Sequence, residues 1–247
     1  MREALRVRGL SFSYPAFPRG VGWLMGRRRA AVKAFSDLSF SIAEGERVCL
    51  MGPNGTGKST LLKIVLGLLA PTTGSAEVFG LDSRRREAHR LVGLVHPDER
   101  SFYWRLTVRE NLAFFGGLWG LPPARARERA QASAETAGLH EWLDRPFSAL
   151  STGTRQKVAI ARALLHEPAL LLMDEPTRSL DPPSAAHLWE WLRGPACTGR
   201  ALLIATHNPA EASALSERCL VLAGGRLAHD GAPLEGRSVS ALMEGRS

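Results

Sequence analysis

The chain has 247 residues, 45% hydrophobic and 23% charged, with a formal net charge of +8; this composition fits one large globular domain, or a domain carrying an inserted subdomain. No apolar run approaches the roughly 20 residues that cross a bilayer, and the early charges Arg2, Glu3, Arg6 and Arg8 exclude a secretion signal, so the expected compartment is the cytosol. The positive balance admits nucleic acid or anionic lipid, but the arginines are scattered; only Arg27-Arg28-Arg29 and Arg84-Arg85-Arg86 form clusters, read either as solvated faces or as contact surfaces.

In chain order, Leu5–Leu10 and Ser11–Tyr14 alternate apolar and polar residues, as strands do. Residues 15–33 interrupt the pattern with prolines, glycines and basic residues, and read as a loop or a hairpin extension. Strand character resumes at Leu38–Ile42, and a turn at Glu44-Gly45-Glu46 leads into Arg47–Met51, an apolar run of the kind buried on both faces. Cys49 lies in that run; Cys197 and Cys219 are far from it, lack metal-ligand spacing, and read with it as buried thiols of a reducing compartment. A glycine-rich loop follows, and Ser59–Leu69 has helical length and spacing.

From Val108 to Ala149 helix formers dominate, with Ala124–Thr136 starting just after Pro122-Pro123, and 108–165 reads as a mostly helical subdomain. Leu170–Met173 and Ala201–Ala205 are short continuous apolar runs separated by a helical stretch near Ser184–Arg193, which gives a β-α-β alternation. Cys219–Leu222 and Gly224–Leu227 read as a hairpin.

Gly52-Pro53-Asn54-Gly55-Thr56-Gly57-Lys58-Ser59-Thr60 satisfies the phosphate-loop pattern in a strand–loop–helix context. Glycines let backbone N–H groups approach phosphates, and the helix N-terminus adds partial positive charge. Lys58 is expected on the β- and γ-phosphates, and the Ser59 hydroxyl on Mg2+. Leu170–Met173 would deliver Asp174 to the C-terminal end of a central strand, where ligands of open α/β sheets bind. Asp174 is expected to hold Mg2+ through water, and Glu175 to polarise the attacking water.

Ala149-Leu150-Ser151-Thr152-Gly153-Thr154-Arg155-Gln156-Lys157 resembles the signature motif of ABC ATPases, usually LSGGQ, and the motif order resembles that family along nearly the whole chain. By this resemblance Tyr14 is the aromatic that stacks on adenine, Asp181 lies in the D-loop, and His207 is the switch histidine. The resemblance implies an α/β fold: a P-loop NTPase core, an N-terminal antiparallel β subdomain, and an inserted helical subdomain carrying the signature. It implies a single ATPase domain over 1–247, with core at 1–95 and 166–247, and the Q-loop and helical subdomain at about 96–165.

The family's mechanism implies two domains paired head to tail, with ATP and Mg2+ between the phosphate loop of one and Ser151, Thr152 and Gly153 of the other. Glu175 is then the base or water orienter, and His207 contacts the γ-phosphate. Thr152 stands where glycine is usual and Thr154 where glutamine is common. The Q-loop glutamine is missing from His96-Pro97-Asp98-Glu99-Arg100: counting back from Leu106-Thr107 puts Asp98 there, counting forward from Gly93 puts Pro97 there, and Asp98, an oxygen donor for Mg2+, is preferred over a mere polar turn.

Residues 101–112 resemble exporter subunits whose membrane domain is a separate chain. Phe102, Tyr103 and Trp104, with Arg105 and Arg109, are either permease contacts or packing of the subdomain's own core. Trp23, Leu24, Met25 and the Arg27 cluster belong to an extended hairpin, or touch the anionic leaflet or the partner. The expected function is an ATPase subunit that drives transport, in the export direction, through a separate integral membrane permease. A second ATPase subunit is required, no nucleic acid is expected, and the location is cytoplasmic, peripheral on the inner face of the membrane. The competing class is a soluble ABC ATPase acting on ribosomes, DNA or iron–sulfur assembly; ribosome-associated members typically carry two ATPase domains and chromosome and repair members a long coiled coil, whereas this chain carries one phosphate loop, one signature and no heptad run.

Overall fold

The structure, a computed structural model, describes residues 2–15, 31–96, 101–194, 197–234 and 242. The N-terminal alternation becomes β1 (Glu3–Tyr14), antiparallel to β2 (Val32–Ala43) from Glu3↔Ala43 to Tyr14↔Val32. One strand replaces the two short ones expected, because register shifts at Val7/Leu10 and Leu10/Phe12 bend it without breaking the pairing. Tyr14 and Val32 are thus the paired feet of the segment read as a hairpin extension; residues 16–30, with Trp23, Leu24, Met25 and Arg27-Arg28-Arg29, lie outside the described residues.

β3 (Arg47–Met51) leads through the glycine loop into α1 (Lys58–Val65). The helix stops short of Leu69 because Gly67 takes a positive φ of 69°, a left-handed turn that ends helices. β4 (Thr73–Val78), β5 (Leu81–Asp82) and α2 (Arg86–His89) then precede β6 (Val92–Val95). Arg84 is committed locally, its Nε and Nη2 donating to Asp82 at 2.9 and 2.6 Å, and Arg86 opens α2.

Three helices follow: α3 (Val108–Leu118), α4 (Pro123–Thr136) and α5 (Thr152–Leu164). Thr107 and Glu110 form a reciprocal capping box that starts α3, and Pro123 supplies the pre-set φ of a helix start to α4. The chain closes with β7 (Leu170–Asp174), α6 (Pro182–Arg193), β8 (Ala201–Thr206), α7 (Pro209–Leu215), β9 (Arg218–Ala223) and β10 (Arg226–Gly231).

These strands form a four-stranded antiparallel sheet, β2-β1-β4-β5, and a six-stranded sheet, β10-β9-β3-β8-β7-β6, parallel except for β10. Both faces of the large sheet are covered, as its unbroken apolar strands require. Leu170 and Leu172 of β7 face the core shared with β1, β2 and α1; Leu171 and Met173 face the core shared with α3, α4 and α5. The helices therefore bury their apolar stripes with one face of the sheet, and strand order places the C-terminal ends of β3, β7 and β8 side by side.

Candidate nucleotide site

The loop after β3 requires glycine at two places. A Cβ on Gly57 would lie 2.7 Å from the Phe35 ring at a φ of 99°, and a Cβ on Gly52 would lie 2.6 Å from the Leu222 carbonyl oxygen. Thr56 folds the loop on itself, its hydroxyl donating to the Pro53 carbonyl at 2.8 Å. No side chain caps α1 and its first turn holds no carboxylate, so its N-terminal dipole faces the loop uncompensated.

Tyr14, the loop from Pro53 to Thr60 apart from Thr56, Asp174 and Glu175 line one cavity of about 410 Å3. Tyr14 is held there by a 2.7 Å hydrogen bond between its hydroxyl and that of Thr60, and by an edge contact with Phe12; it is 40% exposed, leaving part of its ring free. Lys58 is buried, its Nζ donating to the Gly52 carbonyl at 2.5 Å and lying 3.7 Å from Glu175 Oε1. Burial pushes the Lys58 ammonium below the ordinary lysine range, against the opposite pull of Glu175 and Asp174. A cation kept short of water in this way is poised to take up a polyanion.

Asp174 ends β7, buried, and its Oδ1 has no hydrogen-bond partner among the described residues. An unpaired buried carboxylate oxygen is costly unless a cation or water takes it up, and the exposed Ser59 hydroxyl lines the same cavity; this donor set fits a hard divalent cation such as Mg2+. Glu175 follows in a left-handed conformation, φ 51°, fixed by its N–H donating to the Ala205 carbonyl at 2.8 Å. The residue is not glycine, so the strain is held by the surroundings and aims the carboxylate. His207, just past β8, meets Glu175 Oε2 through Nδ1 at 2.6 Å. With the carboxylate ionised, Nδ1–H is the donor.

The signature residues lie elsewhere. Ser151 caps α5, accepting from the Thr154 N–H at 3.2 Å, and its hydroxyl is 2.9 Å from that of Thr154. A side chain at Gly153 would meet Ser184 at 3.7 Å, which sets the signature against the start of α6. Asp181 is the exposed N-cap residue of α6, and the Ser184 hydroxyl beside it holds its carboxyl below the ordinary carboxylate range. Ser151, Thr152, Gly153 and Asp181 do not line the cavity of Lys58 and Glu175. Asp98 and Pro97 lie outside the described residues.

The aromatic segment divides. Phe102 is buried at 4% exposure, stacked on Phe147 at 4.6 Å between ring centroids, so core packing claims it. Tyr103 and Trp104 are 49% and 44% exposed. Buried Asn111 holds their loop, donating to the Tyr103, Leu106 and Thr107 carbonyls and accepting from the Tyr103 N–H. Arg155 of the signature helix lies over the Trp104 ring at 4.5 Å. Arg109, expected at a rim, instead pairs with Asp144 and donates to Gln131.

Sequence reasoning missed several contributors. Val32, Lys33, Ala34, His96 and Arg178 also line the cavity. Buried Glu211 accepts from the Thr177 hydroxyl at 2.8 Å and Trp189 Nε1 at 3.2 Å, which pins the turn after Glu175. No local pattern marks Glu211, whereas Arg178 stands three residues past Glu175 and could have been suspected from that.

A glycine loop between a central parallel strand and a helix, with a carboxylate pair at the end of the next strand but one, defines a P-loop nucleoside triphosphatase. A family model described as ABC transporter matches residues 35–178. The Nod factor export ATP-binding protein I of Ralstonia nicotianae is 38% identical over 200 residues, 80% of this chain and 62% of that protein. The ABC transporter ATP-binding protein NatA of Bacillus subtilis is 34% identical over 207 residues, 83% of this chain and 84% of that protein. Among solved structures, cbiO1 of Clostridium perfringens, part of the ABC transporter complex cbiONQ, has a TM-score of 0.80 at 25% identity, covering 99% of this chain and 94% of that one. The ATP-binding cassette MJ0796, in a dimeric post-hydrolysis state with ADP and Pi, has a TM-score of 0.75 at 25% identity, covering 93% of this chain and 99% of that one. The chain belongs to the ABC transporter family and carries its ATP-binding, ATP-hydrolysing domain. It spans less than two thirds of the Ralstonia nicotianae protein's length.

Proposed function

We propose that this chain is the ATPase subunit of a transporter, working as one ATPase domain with residues of about 96–165 as its Q-loop and helical part, and driving export through a separate membrane permease. The observation that carries the catalytic reading is Glu175, strained at φ 51°, 2.6 Å from His207 and 3.7 Å from Lys58 beside the phosphate loop. Lys58 and the loop N–H groups bind the phosphates, Tyr14 takes the adenine face, and Glu175 receives the proton of the attacking water. His207 holds Glu175 through Nδ1–H; a contact from Nε2 to the terminal phosphate requires the doubly protonated ring, since a phosphate oxygen only accepts. Ser59 and Asp174 hold Mg2+, which neutralises phosphate charge when bound.

Ser151, Thr152, Gly153 and Asp181 act on the ATP of a second copy, paired head to tail; that they line no part of this chain's own cavity supports the reading. No helix among the described residues is long and apolar enough to cross a membrane. In this reading the transport path is a separate chain docked at the cytoplasmic face, with the exposed Tyr103 and Trp104 as its candidate anchors. Export is favoured by the likeness to Nod factor export proteins. No nucleic acid enters the reading.

Glu175→Gln tests the chemistry. ATP binding should survive while turnover falls by about 10²–10⁴-fold, the usual worth of a general base. Undiminished phosphate release by that variant would remove Glu175 from the mechanism. Isolation of the chain from solubilised membranes should recover an integral membrane protein; recovery with ribosomes or DNA instead would move the function to a soluble ATPase.

A further inference from the structure

Arg178 lines the phosphate-loop cavity, is exposed, and its guanidinium has no carboxylate or carbonyl partner among the described residues. Its backbone is fixed: its N–H donates to the Glu175 carbonyl at 3.1 Å, and the preceding Thr177 is tied to buried Glu211. The cavity has two ends. Tyr14 bonded to Thr60 marks the base end, and Glu175 with Lys58 at 3.7 Å marks the reacting end. Arg178 lines the cavity from the turn that Glu175 begins, its backbone three residues past the reacting end.

A guanidinium is always charged and presents several N–H donors in a planar fork that suits phosphate oxygens. Nearby Asp174 and Glu175 do not neutralise it: Asp174 Oδ1 is unpartnered, and Glu175 is already engaged by His207. An unpaired fork in the same cavity as Lys33, the buried Lys58 ammonium and the N-terminus of α1 adds positive potential for a polyphosphate.

We propose that Arg178 is a contact of the terminal phosphate, supplied by the same chain as Lys58, and that it makes the site discriminate ATP from ADP. The proposal rests on reading the cavity at 52–60 as the triphosphate site. Once the terminal phosphate departs, Arg178 loses its partner while Lys58 keeps the β-phosphate.

The test compares Arg178→Ala and Arg178→Lys in the full chain by equilibrium titration with Mg-ADP and with a non-hydrolysable Mg-ATP analogue, far below the protein concentration at which copies associate. Thermal melting of each variant checks folding. The alanine variant should bind the analogue about 10- to 100-fold more weakly, the worth of a charge-assisted hydrogen bond, with ADP changed less than about 2-fold. Lysine should restore part of the analogue's affinity. Equal loss for both nucleotides would place Arg178 on the inner phosphates, and unchanged affinities, or loss of ATP-driven association alone, would make it a surface or partner contact; each overturns the proposal. Lys58→Ala is the control: if it leaves both affinities intact, the triphosphate-site reading has failed, and not the role of Arg178 alone.

Discussion

The phosphate-loop cavity draws on segments far apart in sequence: Tyr14 from β1, the loop before α1, Asp174 at the end of β7 and Glu175 after it, with His207 closing on Glu175 from just past β8. The signature surface draws on one helix start, Ser151 to Thr154, laid against the start of α6. In the cavity, groups are left wanting a ligand: Asp174 Oδ1 is buried and unpartnered, and Lys58 is pushed down by burial. At the signature, polar groups satisfy one another, Ser151 with Thr154 and Asp181 with Ser184. A self-satisfied surface holds its shape without ligand and presents a helix N-terminus outward, which suits a half-site that a second copy completes.

After the loss of Glu175, the largest expected effect comes from breaking that division of labour. Ser151→Ala should lower ATP turnover by about 10²-fold, the loss of one donor to a reacting phosphate, while ADP binding to the single chain stays unchanged. Mixing Ser151→Ala chains with Lys58→Ala chains should recover part of the activity, because a head-to-tail pair then contains one intact site. No recovery in phosphate-release assays would mean that each chain works alone. Loss of the cap also removes about 1 kcal/mol from α5, which thermal melting would register in both nucleotide states.

A smaller effect probes the base end of the cavity. Tyr14→Ala should weaken adenine nucleotides about 5- to 100-fold, the range for removing one base–aromatic stack. Tyr14→Phe, which keeps the ring and loses only the bond to Thr60, should stay within about 5-fold. Equal affinities in titrations of the two variants would refute stacking.

The aromatic segment offers a sharper contrast still. Tyr103 and Trp104 should lose solvent accessibility when the permease binds, whereas Phe102, at 4% exposure, should be silent in footprinting with or without it. Protection of neither Tyr103 nor Trp104 would count against docking there. The smallest expected signal is a null one: burial pushes the thiols of Cys49, Cys197 and Cys219 up to about 12, 11 and 11, so none should be alkylated at pH 8 in the native protein and all should be after denaturation. Labelling of Cys197 in the folded chain would mean that the region after α6 opens.

Much of this was legible without coordinates wherever a property is local. The phosphate loop needs glycines in a fixed order, an unbroken apolar run must be a covered strand, and a helix start declares itself by its cap; Arg47–Met51, Leu170–Met173 and Ala201–Ala205 became β3, β7 and β8 on those grounds. What failed lies where pattern is short or contacts are distant. β4 and β5 are too brief and polar to show alternation, and gain their identity from pairing with β1 and with each other.

The sequence by itself therefore determined the phosphate loop and named candidates for the chemistry, because the loop's demands fall on consecutive residues. Only the tertiary structure decided that Phe102 belongs to the core while Trp104 stays half-exposed under Arg155, that Glu211 pins the turn after Glu175, and that Arg178 opens into the cavity. Burial and partnership are properties of packing between separated segments, and no spacing along a single chain encodes them.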